Sequence, residues 1–182
     1  DYLMYYPFVS MDAGDQALTT NITLPRYPTG AGVKIMAVEV AGQVGGASFY
    51  VTYTNQDGIS GQISRTVTCN TQVVNGTVIT SAPATAGCAG PFIPLQSGDT
   101  GVRSIESVTF LSGDVGLISL VLVKPIASMS VYDITAPVEK DYLIDHDICP
   151  VILDDAYLNF IVHPVGTLAS AALNGEIHTY WS

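Results

Sequence analysis

The chain has 182 residues, a length that suits one domain of ordinary size. Hydrophobic residues make up 48% and charged residues only 12%, a balance that excludes a largely disordered chain. Six basic against sixteen acidic residues give a net charge of −10, which argues against a nucleic-acid partner because a phosphate-binding face needs a basic stripe. The longest apolar run, Gly116 to Val123, is far shorter than the ~20 residues of a membrane helix, so no membrane partner is predicted.

The first feature in chain order is an aromatic N-terminal segment, residues 1–15. It is either an edge strand that packs on the chain's own sandwich or an arm that lies on a neighbouring subunit, since exposed aromatic segments mark interaction sites. On the second alternative, deletion of residues 1–10 would leave the domain folded but weaken association. The candidate partner-binding residues of this segment are Tyr2, Tyr5, Tyr6 and Phe8.

Residues 16–182 are predicted to form a single β-sandwich domain built from ten short strands. Each segment is rich in β-branched and aromatic residues, and turn residues separate the segments. No stretch has the apolar spacing of a long helix, although a helical turn is conceivable in 142–156. The sequence therefore predicts an all-β, jelly-roll-like sandwich with very little helix. The predicted strands are Ala17 to Leu24, Val33 to Ala41, Ser48 to Thr54, Gln62 to Cys69, Gln72 to Val74, Thr77 to Thr80, Val102 to Leu111, Leu117 to Val123, Tyr157 to His163 and Glu176 to Trp181.

Two of these segments indicate which faces are buried. In Ser48 to Thr54, Phe49, Val51 and Tyr53 alternate with polar residues and so share one buried face. Leu117 to Val123 is apolar on both faces apart from Ser119, which is typical of a central strand that is covered on both sides.

Three cysteines leave the thiol state open. Cys69 and Cys88 flank a Gly/Thr/Ala-rich stretch and could pair, which would leave Cys149 free, but three free thiols are an equally simple interpretation. His163 and His178 lie on two predicted strands near the C-terminus and could supply half a metal site, for which the spacing suggests no third ligand.

No catalytic signature is present, so the sequence predicts a protein that is not an enzyme. An acidic stretch between residues 133 and 155 is the strongest candidate for chemistry. Its carboxylates suit Ca²⁺, which is the one cofactor considered. Alternatively, the stretch is a solvated loop or a docking surface for a basic partner. A third alternative is that two of its carboxylates act as a glycosidase pair. The candidate metal ligands are Asp145, Asp147, Asp154 and Asp155.

Several segments together resemble the structural proteins of tailed bacteriophage particles, especially head decoration or cement proteins. They are Tyr5 to Phe8, Thr52 to Gly58, Gly90 to Phe110, Gly113 to Ile126 and Leu173 to Ser182. The resemblance implies a virion location, a β-sandwich fold and assembly as copies, but it does not fix the part of the particle. We predict a homo-oligomer on the head exterior, with the major capsid protein or other virion proteins as partners. Proteins of this kind often form trimers, although the sequence does not fix the number.

Two alternatives to a head decoration protein remain open at this point. One is a tail or collar component of the same particle. The other is a jelly-roll module that binds a receptor or a glycan, in which Trp181 would stack on a sugar ring.

Overall fold

A computed structural model describes residues 1–12, 14–18, 22–69, 76, 78–79, 90–131, 136–144, 149–163 and 174–180. These residues form nine strands and no helix, which confirms the all-β prediction. None of the described residues belongs to a helix able to cross a membrane. The strands are β1 (Tyr2–Ser10), β2 (Gly14–Ala17), β3 (Lys34–Ala41), β4 (Ser48–Asn55), β5 (Gln62–Ile63), β6 (Val67–Thr68), β7 (Val78–Ile79), β8 (Val102–Phe110) and β9 (Leu117–Val123).

The strands form two antiparallel sheets that pack into a β-sandwich. One sheet has the order β1-β9-β3-β7, and the other has the order β2-β8-β4-β5, with β6 also paired to β4. Alternating residues of β4 point inward as predicted, and Phe49 and Phe110 stack with ring centroids 5.1 Å apart. The inner faces of both sheets share one core, which includes Ile35, Phe49, Val51, Ile105, Val108, Ile118, Leu120 and Leu122.

The prediction that Leu117 to Val123 is a central strand is confirmed. β9 pairs with β1 on one side and with β3 on the other. Ile118, Leu120 and Leu122 point into the sandwich core, whereas Val121 and Val123 are buried on the opposite face of the same sheet. The second apolar face of β9 is therefore also buried, in a separate cluster on the side of the sheet away from the sandwich core.

Other strand predictions are wrong in part. Of the described part of Ala17 to Leu24, which lacks residues 19–21, only Ala17 lies in a strand. Gln62 to Cys69 is interrupted after Ile63, because the Ser64 hydroxyl accepts a hydrogen bond from the backbone NH of Val51 at 2.9 Å and so replaces a ladder carbonyl. Gln72 to Val74 lies outside the described residues, as do Thr77 and Thr80 on either side of β7.

The two predicted C-terminal strands are also wrong where they are described. Residues 157–163 and 176–180 form no strand, and the backbone hydrogen bond that the first of these segments makes to a described strand is the one from Tyr2 NH to the Tyr157 carbonyl, at the free edge of β1. Residues 142–144 form a turn rather than a helix, and residues 145–148 lie outside the described residues.

The structure decides the thiol state of two of the three cysteines, Cys69 and Cys149. Cys69 is a buried free thiol, so it is not paired with Cys88, which itself lies outside the described residues. Burial, together with the nearby Glu39 and Asp114 carboxylates, raises the pKa of Cys69 to about 12, so this thiol is unreactive at neutral pH. Cys149 is free and exposed.

Candidate assembly surface

The aromatic N-terminal segment is an edge strand of the chain's own sandwich. β1 runs antiparallel to β9 and buries Leu3, Tyr6 and Val9 in the core. The Tyr6 hydroxyl accepts a hydrogen bond from the backbone NH of Ile105 at 3.0 Å, and burial raises the pKa of this phenol. Of the four candidate partner-binding residues, Tyr6 is therefore committed to the core of its own chain.

Tyr5 and Phe8 are presented outward from the same strand. Their side chains are 69% and 71% exposed, respectively. The register of β1 against β9 shifts between Tyr6 and Val9, and Phe8 has a left-handed backbone with φ of 58° inside this bulge. Such a conformation costs an aromatic residue about 1–3 kcal/mol, and outliers of this kind gather at functional surfaces. Phe8 is thus an exposed aromatic residue on a strained backbone.

Replacement of Phe8 by asparagine should stabilise the fold. Asparagine tolerates the left-handed region, and the exposed ring gives up little packing, so we expect a gain of about 0.5–1 kcal/mol. The matched control is Tyr5→Asn, which removes a similarly exposed ring without relieving a left-handed backbone and should give no gain. Urea denaturation of both variants measures the difference, and an equal change in the two would contradict the strain interpretation.

The sheet that contains β1 and β9 has an apolar surface on the side away from the sandwich core, which we call the outer face. Its buried centre is formed by Met36, Val121 and Val123. A groove of about 1140 Å³ lies over it, bounded on one side by residues 157–163. The outer face consists of Tyr2, Met4, Met36, Val38, Ser119, Val121 and Val123.

Residues 149–163, which we call the arm, meet the sandwich beside Tyr2. The backbone NH of Tyr2 donates to the carbonyl of Tyr157 at 2.8 Å, and the two rings meet edge to face at 6.2 Å. The NH of Tyr157 donates to Asp1 Oδ1 at 2.9 Å, the same oxygen that accepts from Arg26. Further along the arm, Ile161 packs against the centre of the outer face.

Most of the arm's apolar side chains face solvent in the described structure. Tyr157 is 69% exposed and Phe160 is 74% exposed. A soluble monomer rarely leaves so many large apolar groups uncovered in one stretch of chain. The exposed large apolar residues of the arm are Val151, Ile152, Leu153, Tyr157, Leu158, Phe160 and Val162.

The structure describes two of the four candidate metal ligands, and it does not place these two in a metal-binding arrangement. Asp154 and Asp155 are exposed and lie at a turn, while Asp145 and Asp147 fall outside the described residues. Among the described residues, no group of three or more His, Cys, Asp or Glu side chains is placed to hold a metal ion. His163 is exposed, and His178 lies 3.5 Å from the Glu176 carboxylate. The calcium hypothesis stays a prediction.

A buried polar pair is the feature that the sequence reasoning missed inside the sandwich. Glu39 points inward from β3, both it and Gln43 are buried, and Gln43 Nε2 donates to Glu39 Oε2 at 3.2 Å. Oε1 of each residue is buried without a hydrogen-bond partner. Burial raises the pKa of Glu39, and the negative charge of Asp114 adds to this shift. A neutral Glu39 would carry a donor, and Gln43 Oε1 is an unused acceptor on the same partner.

Replacement of Glu39 by glutamine should therefore raise stability at neutral pH. Because the folded pKa lies above the ordinary value of 4.5, the stabilising contribution of neutral Glu39 is complete below that value and is lost as the pH rises through the raised pKa. Glutamine stays neutral and offers the same donor, so we expect a gain of about 1–2 kcal/mol at pH 7 and almost none at pH 4. Thermal unfolding at both values measures this, and an equal gain at the two would show that charge is not the cause.

No protein-family model matches the chain, and no curated protein or solved structure is significantly similar to it. The likeness to phage head proteins thus rests on the sequence segments named above. In the sequence, the outer face was signalled by the second apolar face of β9, and the arm by the strand-like composition of residues 157–163.

Proposed function

We propose that this chain is a non-enzymatic structural protein of a bacteriophage particle, a decoration protein that binds the coat lattice on the head exterior and stabilises the shell. The observation that carries the proposal is the arm, an apolar stretch after the last strand whose large side chains are largely exposed. Exposed apolar stretches of this size mark protein–protein contacts. The sandwich supplies the rigid body, and the arm supplies the surface for association.

The charge of the chain favours a basic or neutral landing surface. Its net charge of −10 would steer it toward such a surface, and salt would weaken this steering over a Debye length of roughly 8 Å. Apolar contacts made by the arm would survive salt, because hydrophobic association is not screened. Attachment should therefore be slowed by salt more than release is accelerated.

A non-enzymatic role agrees with how the polar side chains at the end of β4 and in the loop before β8 are used. The Tyr53 hydroxyl donates to Asp99 Oδ2 at 2.6 Å and accepts from the NH of Gln96, while Asn55 donates to Asp99 Oδ1 at 2.8 Å. Burial raises the pKa of Tyr53 well above its usual value. These groups satisfy one another and hold the loop after Gln96 against the end of β4, which is a structural task.

Particles with and without the protein provide the test. Particles that lack it should rupture at lower temperature or under milder osmotic shock, and purified protein should restore resistance. The variant Phe160→Asp should restore less, whereas Val44→Asp, at a residue 77% exposed but away from the arm, should restore fully. Particles that are equally robust without the protein, yet fail to adsorb to host cells, would overturn the decoration role and favour a receptor-binding one.

A further inference from the structure

We propose that the ion pair between Asp1 and Arg26 is a latch that holds the arm as a strap against the outer face of its own sheet, and that opening the latch lifts the arm and uncovers this face. The inference goes beyond the proposed function and does not depend on it, because it concerns contacts within one chain. It predicts two positions of the arm, seated and lifted, and names the residues that choose between them.

The latch is a buried ion pair with two parallel hydrogen bonds. Arg26 Nε donates to Asp1 Oδ2 at 2.7 Å, and Arg26 Nη2 donates to Asp1 Oδ1 at 2.6 Å. The side chain of Asp1 is fully buried, and that of Arg26 is 14% exposed. Forked pairs of a guanidinium and a carboxylate combine strength with a fixed geometry. The Asp1 carboxylate is therefore held in one orientation.

The same carboxylate binds the arm. Asp1 Oδ1 also accepts a hydrogen bond from the NH of Tyr157 at 2.9 Å. Arg26 Nη2 donates in addition to the carbonyl of Tyr2 at 3.0 Å, and the NH of Tyr2 donates to the carbonyl of Tyr157 at 2.8 Å. Both backbone polar groups of Tyr157 are thus fixed next to Arg26, in a network whose members depend on one another.

Beyond the latch, the arm shields apolar surface of its own sheet. Tyr157 and residues 159–163 form a wall of the groove over the outer face. Ile161 packs against the cluster of Met36, Val121 and Val123. Met36 is fully buried in this cluster, which lies outside the sandwich core. Lifting the arm would therefore give water access to the outer face.

Away from the latch, the arm is held by few contacts. Among the described residues, the backbone hydrogen bonds that join the arm to the sandwich are those of Tyr157. Phe160, three residues further on, is 74% exposed. Segments with few buried contacts and few backbone hydrogen bonds open locally at low free energy. Without the Arg26 guanidinium, the Asp1 carboxylate would be buried without its countercharge, so it would turn toward water and release the Tyr157 NH.

Hydrogen exchange of the full chain, followed by NMR, tests the latch. In Arg26→Gln, the Tyr157 amide should exchange about 10-fold faster or more than in the wild type. Arg26→Lys should give an intermediate rate, because lysine keeps the charge but cannot form the two parallel bonds. The matched control is Arg103→Gln, which removes hydrogen bonds to the carbonyls of Thr29 and Gln56 and should not change the rate at Tyr157. No acceleration in Arg26→Gln, or an equal one in the control, would overturn the proposal.

Oxidation of methionines by peroxide shows whether the outer face is uncovered. Met36 on the outer face and Met11 in the sandwich core are both fully buried, whereas Met129 is 52% exposed. In Arg26→Gln, Met36 should form its sulfoxide about 5-fold faster or more, because the reaction needs access to the sulfur. Met11 and Met129 should react as they do in the wild type. Equal acceleration at Met11 would indicate general unfolding and would overturn the proposal.

The variant Ile161→Ser separates the strap from its latch. It removes the side chain that packs on the outer face and leaves the ion pair unchanged, so Met36 should oxidise faster while the Tyr157 amide stays protected. An unchanged rate at Met36 would show that the arm does not cover it and would overturn the proposal. Fraying of β1 in Arg26→Gln would appear as faster exchange of the β1 amides that pair with β9, and this result would also overturn it. All these measurements use the isolated chain, so their outcome is independent of whether the protein protects particles.

Discussion

Replacement of Gly101 by alanine is expected to abolish the native fold or to destabilise it by about 3 kcal/mol or more, near the upper end of overpacking effects. A Cβ on Gly101 would overlap the carbonyl oxygen of Gly30 and lie 2.7 Å from the NH of Gly32. Both are backbone atoms, so no side-chain rotation relieves the clash. With a total stability of roughly 5–15 kcal/mol, such a loss leaves little margin.

The surroundings of Gly101 cannot shift to make room. The turn at Gly30 is fixed by hydrogen bonds from Gly30 NH to the carbonyl of Tyr27 at 2.7 Å and from Val33 NH to the carbonyl of Gly30 at 3.0 Å. On the other side, Gln56 Oε1 accepts from Gly101 NH at 3.0 Å. The strand that follows, β8, is therefore held by a backbone-to-backbone approach that only glycine allows.

Gly45→Ala is the matched control for this prediction. Its Cβ would lie 3.4 Å from Asp114 Oδ2, which is ordinary van der Waals contact, and its backbone is not left-handed. Urea denaturation should show a change within about 0.5 kcal/mol for Gly45→Ala. A Gly101→Ala variant as stable as this control would show that the turn at Gly30 yields more easily than its hydrogen bonds indicate.

The sequence predicts the sandwich well because alternation reports burial directly. In β4 the period-two pattern identified the inward residues, and the second face of β9, which is apolar apart from Ser119, correctly indicated a central strand. The Glu39–Gln43 pair was not predicted, because nothing in a β-strand pattern distinguishes an inward glutamate from an outward one until its neighbours are placed.

The arm shows where sequence reasoning stops. Residues 157–163 have the composition of a strand, yet they form none in the described structure. Strand propensity reflects packing on a half-buried surface rather than an intrinsic backbone preference, so it does not say whether the required neighbour belongs to the same chain. The same ambiguity applied to residues 1–15, for which the neighbour is β9 of the same chain.

Removal of residues 1–10 is expected to unfold the chain. The deletion would take Leu3, Tyr6 and Val9 out of the core and leave β9 as an exposed edge. At about 1.5–3 kcal/mol for each large buried side chain, the loss approaches the whole stability of a typical domain. This result would reverse the expectation that the domain survives the deletion, which followed from the alternative that residues 1–15 lie on a neighbouring subunit.

The informative comparison is a full-length chain with Tyr5→Ser and Phe8→Ser. Both side chains are exposed, so this variant should unfold within a few degrees of the wild type, whereas the deletion should give no cooperative transition by circular dichroism. Any loss of particle binding in the double variant would then assign partner contact to the exposed side of β1. A deletion variant that unfolds cooperatively near the wild-type temperature would instead show that β1 is dispensable to the core. It would restore the interpretation of residues 1–15 as a segment that lies on a neighbouring subunit.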